Sequence, residues 1–276
     1  MSEAFVPRSV LFVPGNATDK LAKVARVRPD AVIVDFEDAV SPDQKDEARS
    51  GALAALAQER PGADLVLVRI NGSDTPWYDE DVAAVAPAIR DGFVDGVVLP
   101  KYEQVTQVAR LRASVGPNAV VIAGLESVAG VADARTLLAA HGVDATYFGA
   151  EDYIADIGGR RTKEGLEVLY ARSQVVVAAR LGGVATLDQV VPAIHEDEAF
   201  RADAEQALSL GYTGKVCLHP KQVVIAHEVF TPTEAEVAHA KAVLEAAKES
   251  GVALVDGQMI DAVHVTMAKA TLARSR

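Results

Sequence analysis

Short apolar runs rich in Val, Ile and Leu alternate along the chain with longer Ala-rich stretches whose apolar positions recur at helical spacing. The apolar runs fall at SVLFVP (9–14), AVIVDF (31–36), LVLVRIN (65–71), GVVLP (96–100), AVVIAGLE (119–126), ATYFGAE (145–151), GVATL (183–187) and GKVCL (214–218). Near-continuous Val/Ile runs are the signature of strands buried on both faces, as in a parallel sheet covered by helices. Between them, stretches such as DKLAKVARV, PDQKDEARSGALAALAQE, YDEDVAAVAPAIRDG and TKEGLEVLYARSQVVVAARLG read as amphipathic helices. Eight such strand–helix units predict a (β/α)8 TIM barrel. The competing open doubly wound sheet would carry a G-x-G-x-x-G turn after its first strand. That strand ends in Pro14-Gly15-Asn16 instead. Beyond the eighth strand, TPTEAEVAHAKAVLEAAKES (231–250) predicts one further helix, followed by a Gly/Val-rich segment (251–262) and a short terminal helix.

Composition narrows the function classes. Half of the 276 residues are hydrophobic but only 5% are aromatic, which favours an aliphatic interior over an all-β sandwich. A net charge of −12 argues against nucleic acid and against an anionic membrane surface. An anionic small substrate is still compatible, because local arginines and a metal override a global charge. The single cysteine, Cys217, excludes an intramolecular disulfide framework and a Cys-rich zinc site. The start of the chain lacks the apolar core of a leader, and no apolar run approaches the roughly 18 residues of a membrane span. A soluble, cytoplasmic protein is the expectation.

Active sites of such barrels lie at the carboxyl ends of the strands. The predicted ends carry Asp35, Glu37 and Asp38, then Arg69 and Asn71, Lys101, Glu126, Glu151 and Asp152, and finally His219-Pro220-Lys221. Glu126 and Asp152 follow consecutive strands and are neighbours around the barrel. Two carboxylates without a nearby His or Cys suit Mg²⁺, which binds through one or two carboxylates plus water and substrate oxygens. Zinc would recruit imidazole or thiolate. A plainer origin for both acids is the favourable field at a helix N-terminus. Arg69 leaves an apolar strand and needs an anionic partner, either Glu37 or Asp38 within the protein, or a substrate carboxylate or enolate oxygen. Asp35 reads as a rim residue held by backbone groups. Lys101 has structural and catalytic readings of equal weight. His219 is placed at the rim, whereas His141, His195, His227, His239 and His264 read as surface or packing residues.

In this order, RSVLFVPGN, DKLAK, DAVIVDFEDAV, VRIN, LPK, GLES, GAEDY, CLHPKQ and the tail motif DGQMIDA resemble the CitE-like (citrate lyase β-subunit-like) proteins of the HpcH/HpaI aldolase superfamily. The resemblance implies a Mg²⁺-dependent carbon–carbon lyase of TIM-barrel fold acting on β-hydroxyacyl thioesters. It implies metal ligation by Glu126 and Asp152, and substrate contact through Arg69. From their place on the barrel, Glu37 and Asp38 would orient Arg69, hydrogen-bond metal waters or simply begin the second helix. Arg8, Asn16 and Lys20 would lie near the thioester carrier, usually CoA. Asp261 would exchange the proton at the α-carbon, reaching a neighbouring site in a homotrimer. Residues 1–230 would then form the barrel, and residues 231–276 a helical lid extension of the same functional unit. The alternatives are a citrate lyase β subunit acting on a carrier-protein thioester, a class II aldolase acting on free 2-oxo acids, and a catalytically silent CoA-binding protein.

Overall fold

The computed structural model describes residues 6–249 and 253–275. Eight parallel strands close in sequence order: β1 (Ser9–Pro14), β2 (Ala31–Asp35), β3 (Leu65–Arg69), β4 (Gly96–Leu99), β5 (Val120–Leu125), β6 (Ala145–Phe148), β7 (Ala185–Asp188) and β8 (Gly214–Cys217). The chain is a (β/α)8 barrel, with β1 hydrogen-bonded to both β2 and β8. The apolar runs end as strands where their polar residues begin. Helix Ala150–Asp156 therefore takes Glu151 and Asp152, which the sequence pattern assigns to the strand. Among the described residues, no helix is long and apolar enough to cross a membrane.

Strand parity decides which side chains enter the barrel, because successive residues face opposite sides. Val10, Ile33, Leu67, Val98, Ile122 and Val216 belong to one buried cluster filling the interior. Two residues further along their strands stand Phe12, Asp35, Arg69 and Gly124, so these share the inward parity at the carboxyl rim. The opposite parity places Asp188 and Lys215 against the surrounding helices. There, with Arg172 from helix Leu166–Gly182 and Asp203 from helix Asp197–Leu210, they form a buried ion cluster. Arg172 grips Asp188 through two hydrogen bonds of 3.0 and 2.8 Å, and Lys215 Nζ lies 2.6 Å from the same carboxylate.

The chain divides into two compact units, residues 1–226 and 227–276. In the second unit, helix Glu234–Glu249 occupies the predicted place, with Ser250 outside the described residues. The Gly/Val-rich segment is a hairpin, a feature the sequence reading missed; its Gly251 and Val252 also lie outside the described residues. Strands β9 (Ala253–Val255) and β10 (Gln258–Ile260) pair antiparallel around Asp256 and Gly257, with φ of 50° and 78°. Asp-Gly is the dipeptide that a two-residue hairpin turn with two positive φ angles selects. Helix Ala262–Arg274 follows, and Ala240, Val243, Val255, Ile260 and Ala268 form this unit's core.

Candidate active site at the carboxyl rim

Arg69, the last residue of β3, is directly paired in register with Asp35, the last residue of β2. Both point inward, and the guanidinium meets the carboxylate fork to fork, with Nε to Oδ1 at 2.7 Å and NH2 to Oδ2 at 2.6 Å. Asp35 also accepts from the backbone N–H groups of Glu37 and Ala39. The principal partner of Arg69 is thus Asp35. Glu37 Oε2 and Asp38 Oδ2 lie 2.9 and 3.2 Å from the remaining nitrogen, NH1. Burial would weaken the charge on Arg69, but Asp35 first and then Glu37 and Glu126 outweigh it and raise its pKa. The guanidinium also lies over the Phe12 ring, 4.9 Å from the centroid. Bidentate geometry and stacking are properties of arginine that lysine cannot reproduce.

Lys101 follows β4 in a left-handed conformation, φ 49°, which is uncommon for a residue with a side chain. Its ammonium lies 2.8 Å from Glu37 Oε1 and 3.6 Å from Asp152 Oδ1. Burial would lower its pKa, but the hydrogen bond and charge of Glu37 overcome that and raise it. Glu37 itself is displaced upward, by burial ahead of the opposing pull of Arg69. Beneath them lies Lys45, which the sequence reading did not single out. Its buried ammonium donates to the carbonyls of Phe36 and Glu37 and to Asn71 Oδ1, at 2.8, 2.8 and 2.7 Å. This ties the loop after β2 to the end of β3, while Asn71 is itself held by Asp81.

Glu126 closes the far side of a cavity of about 180 Å³ that Phe12, Asp38, Arg69, Tyr147 and Asp152 also line. The Glu126 side chain is almost fully buried, at 2% exposure. One carboxylate oxygen, Oε1, accepts from the Tyr147 hydroxyl; the other, Oε2, is buried without a hydrogen-bond partner. Burial, then the charge of Glu37, pushes the Glu126 carboxyl up to about 8 despite Arg69. Gly149 makes room for this carboxylate, since a side-chain carbon there would press on Glu126 Cγ. A buried carboxyl with one open oxygen either holds a proton or offers that oxygen to a cation. Among the described residues, no group of three or more His, Cys, Asp or Glu is arranged to hold a metal. Glu126 and the half-exposed Asp152 could offer two carboxylates, a set that would fit a hard cation completing its shell from water and substrate.

The other expected site residues are more scattered. Asn16, exposed in the turn after β1, donates to Gln44, and the exposed Lys20 lies in the short helix Thr18–Leu21. Arg8 stands before β1, at the amino-terminal end of the barrel, where Nε and NH2 bind Asp30 at 3.0 and 2.7 Å. A six-residue strand separates it from the rim by roughly 20 Å, so this structure does not place it beside the cavity. Asp261 caps helix Ala262–Arg274, accepting from the Val263 and His264 backbones and lying 2.8 Å from His264 Nδ1. His219 and His195 face each other edge-on, with ring centroids 6.2 Å apart. Tyr147 also escaped the sequence reading, although its inward parity was available there.

Fold and site together define a (β/α)8 barrel with an arginine–carboxylate rim suited to anionic substrates. The chain belongs to the HpcH/HpaI aldolase/citrate lyase family, whose model matches residues 8–220. It is 46% identical to the citrate lyase subunit beta-like protein of Deinococcus radiodurans, over 96% of either chain. It is 32% identical to the (3S)-malyl-CoA thioesterase of Cereibacter sphaeroides, covering 97% of this chain and 94% of that one. The crystal structure of CitE from Mycobacterium tuberculosis in complex with magnesium, acetoacetate and coenzyme A matches with a TM-score of 0.82 and 30% identity. That match covers 98% of this chain and 97% of CitE.

Proposed function

We propose that this protein is a Mg²⁺-dependent carbon–carbon lyase that cleaves or forms a β-hydroxyacyl-CoA thioester, such as citramalyl-, malyl- or citryl-CoA. The products of cleavage would be a 2-oxo acid and an acyl-CoA. The observation that carries this reading is the cavity in which the unpartnered oxygen of Glu126 and the carboxylate of Asp152 face the Asp35-locked guanidinium of Arg69. The magnesium, acetoacetate and coenzyme A bound to CitE, together with the malyl-CoA relative, support the substrate class.

Glu126 and Asp152 would hold Mg²⁺, which supplies Lewis-acid polarisation and a template for the oxo-acid half of the substrate. Arg69, fixed and permanently charged, donates to oxygen where enolate charge develops as the bond breaks. Glu37 and Asp38 keep its third nitrogen in place, and Lys101 offsets their charge. Val190 and Val216 line the same cavity and make part of its wall apolar. The α-carbon proton is assigned to Asp261, supplied from a neighbouring copy in a homotrimer. Exposed Leu166, Tyr170, Val177 and Leu181, along one face of helix Leu166–Gly182, support such an assembly.

Mg²⁺-dependent release of a 2-oxo acid from a CoA ester tests this reading, with carbonyl trapping as the readout. Glu126→Ala and Asp152→Ala are each expected to abolish that release. Full activity in both variants would remove the metal assignment.

A further inference from the structure

The two oxygens of Glu126 are treated differently by the fold, and Tyr147 is the cause. On β5 and β6, Gly124 and Tyr147 are partners in register. With no side chain at Gly124, the phenol leans across that position and donates to Glu126 Oε1. A side-chain carbon at Gly124 would collide with both the Tyr147 hydroxyl and Glu126 Oε1. Tyr147 is buried and braced edge-on by Phe12, with ring centroids 6.5 Å apart and planes at 67°. Phe12 in turn lies under the Arg69 guanidinium. One packed row therefore runs from the arginine to the carboxylate.

Resting on the metal reading above, we infer that Tyr147 is a positioning residue: by holding Oε1 it fixes Glu126 as a one-oxygen ligand that presents Oε2 to the cation. A phenol is suited to this. It donates one hydrogen bond, carries no competing charge, and its ring is rigid once packed. Phenylalanine would keep the packing but release the carboxylate to rotate. Partners that orient a ligand in this way typically account for about 10–100-fold in metal affinity.

The test is Mn²⁺ binding to the chelator-stripped full-length protein, read from the free-ion electron paramagnetic resonance signal. Tyr147→Phe is expected to raise the Mn²⁺ Kd about 10–100-fold. The metal concentration for half-maximal activity should rise by the same factor, while kcat at saturating metal changes little. Gly124→Ala, which disturbs the same contact from the other strand, is expected to shift the Kd in the same direction. A merely structural role for Tyr147 would lower thermal stability without moving the Kd. A folded Tyr147→Phe variant whose Kd stays within twofold of the parent, beside a Glu126→Gln variant that binds poorly, overturns the positioning role alone. If Glu126→Gln also binds as the parent does, the metal assignment falls and the inference with it.

Discussion

At the scale of single residues, Asp35 shows how parity outranks proximity in sequence. Asp35, Glu37 and Asp38 crowd into four positions, and the sequence pattern pairs Arg69 with Glu37 or Asp38 while leaving Asp35 to the backbone, an expectation the structure overturns. Only Asp35 lies within β2, in phase with Ile33 and opposite Arg69 in the register, so it takes the bidentate bond. Glu37 and Asp38 lie past the strand end, where side-chain direction is set by a loop that the pattern does not encode. Tyr147 was legible by the same parity, one step beyond Ala145, yet an aromatic residue within an apolar strand reads as packing. Removing one partner of a buried pair strands the other charge. Asp35→Asn is therefore expected to lower kcat/KM about 10–100-fold, by freeing the guanidinium proposed to meet the substrate. Asp38 is half-exposed and its link to Arg69 is correspondingly weak. Asp38→Asn should cost less than threefold, and steady-state kinetics of the two folded variants would reveal any reversal of that order.

Among elements, strand positions were readable because the Val/Ile runs are long, continuous and broken by helical stretches. Which end of a strand a residue occupies was readable too, and Arg8 stands before β1, at the end of the strand away from the rim. A residue preceding β1 belongs to the amino-terminal face, where conservation of structure rather than chemistry is the rule in these barrels. Its backbone N–H and its guanidinium donate to Asp30, joining the starts of β1 and β2. The pair is partly exposed, so its contribution is modest, on the order of 1 kcal/mol. Arg8→Met should lower the thermal midpoint by a few degrees and leave KM for the CoA ester unchanged. A selective rise in KM would return Arg8 to substrate binding. The hairpin of β9 and β10 was legible in Asp256-Gly257, but three-residue strands are too short for hydrophobic periodicity to register.

For the molecule as a whole, the acidic balance and the barrel divide charge between two layers. Inward parity supplies the rim chemistry, while outward parity supplies the Arg172–Asp188–Lys215–Asp203 cluster that bonds the sheet to two helices. Asp203 is largely buried, which alone would raise its pKa, but Lys215 and Arg172 override this and hold it below the usual carboxylate value. A lowered native pKa means stability that is present above the unfolded value, near 4, and lost as pH falls below it. Urea unfolding of Asp203→Asn should show a deficit at pH 7 that shrinks as pH falls below 4; a deficit independent of pH would contradict the ion-pair account. The central claim concerns the rim, and product balance tests it most directly. With Mg²⁺ and a panel of malyl-, citramalyl- and citryl-CoA, the account predicts one 2-oxo acid for each acyl-CoA formed, with no free CoA. Free CoA appearing beside an intact hydroxy acid would contradict it and assign the protein to thioester hydrolysis; no product from any ester would contradict it outright.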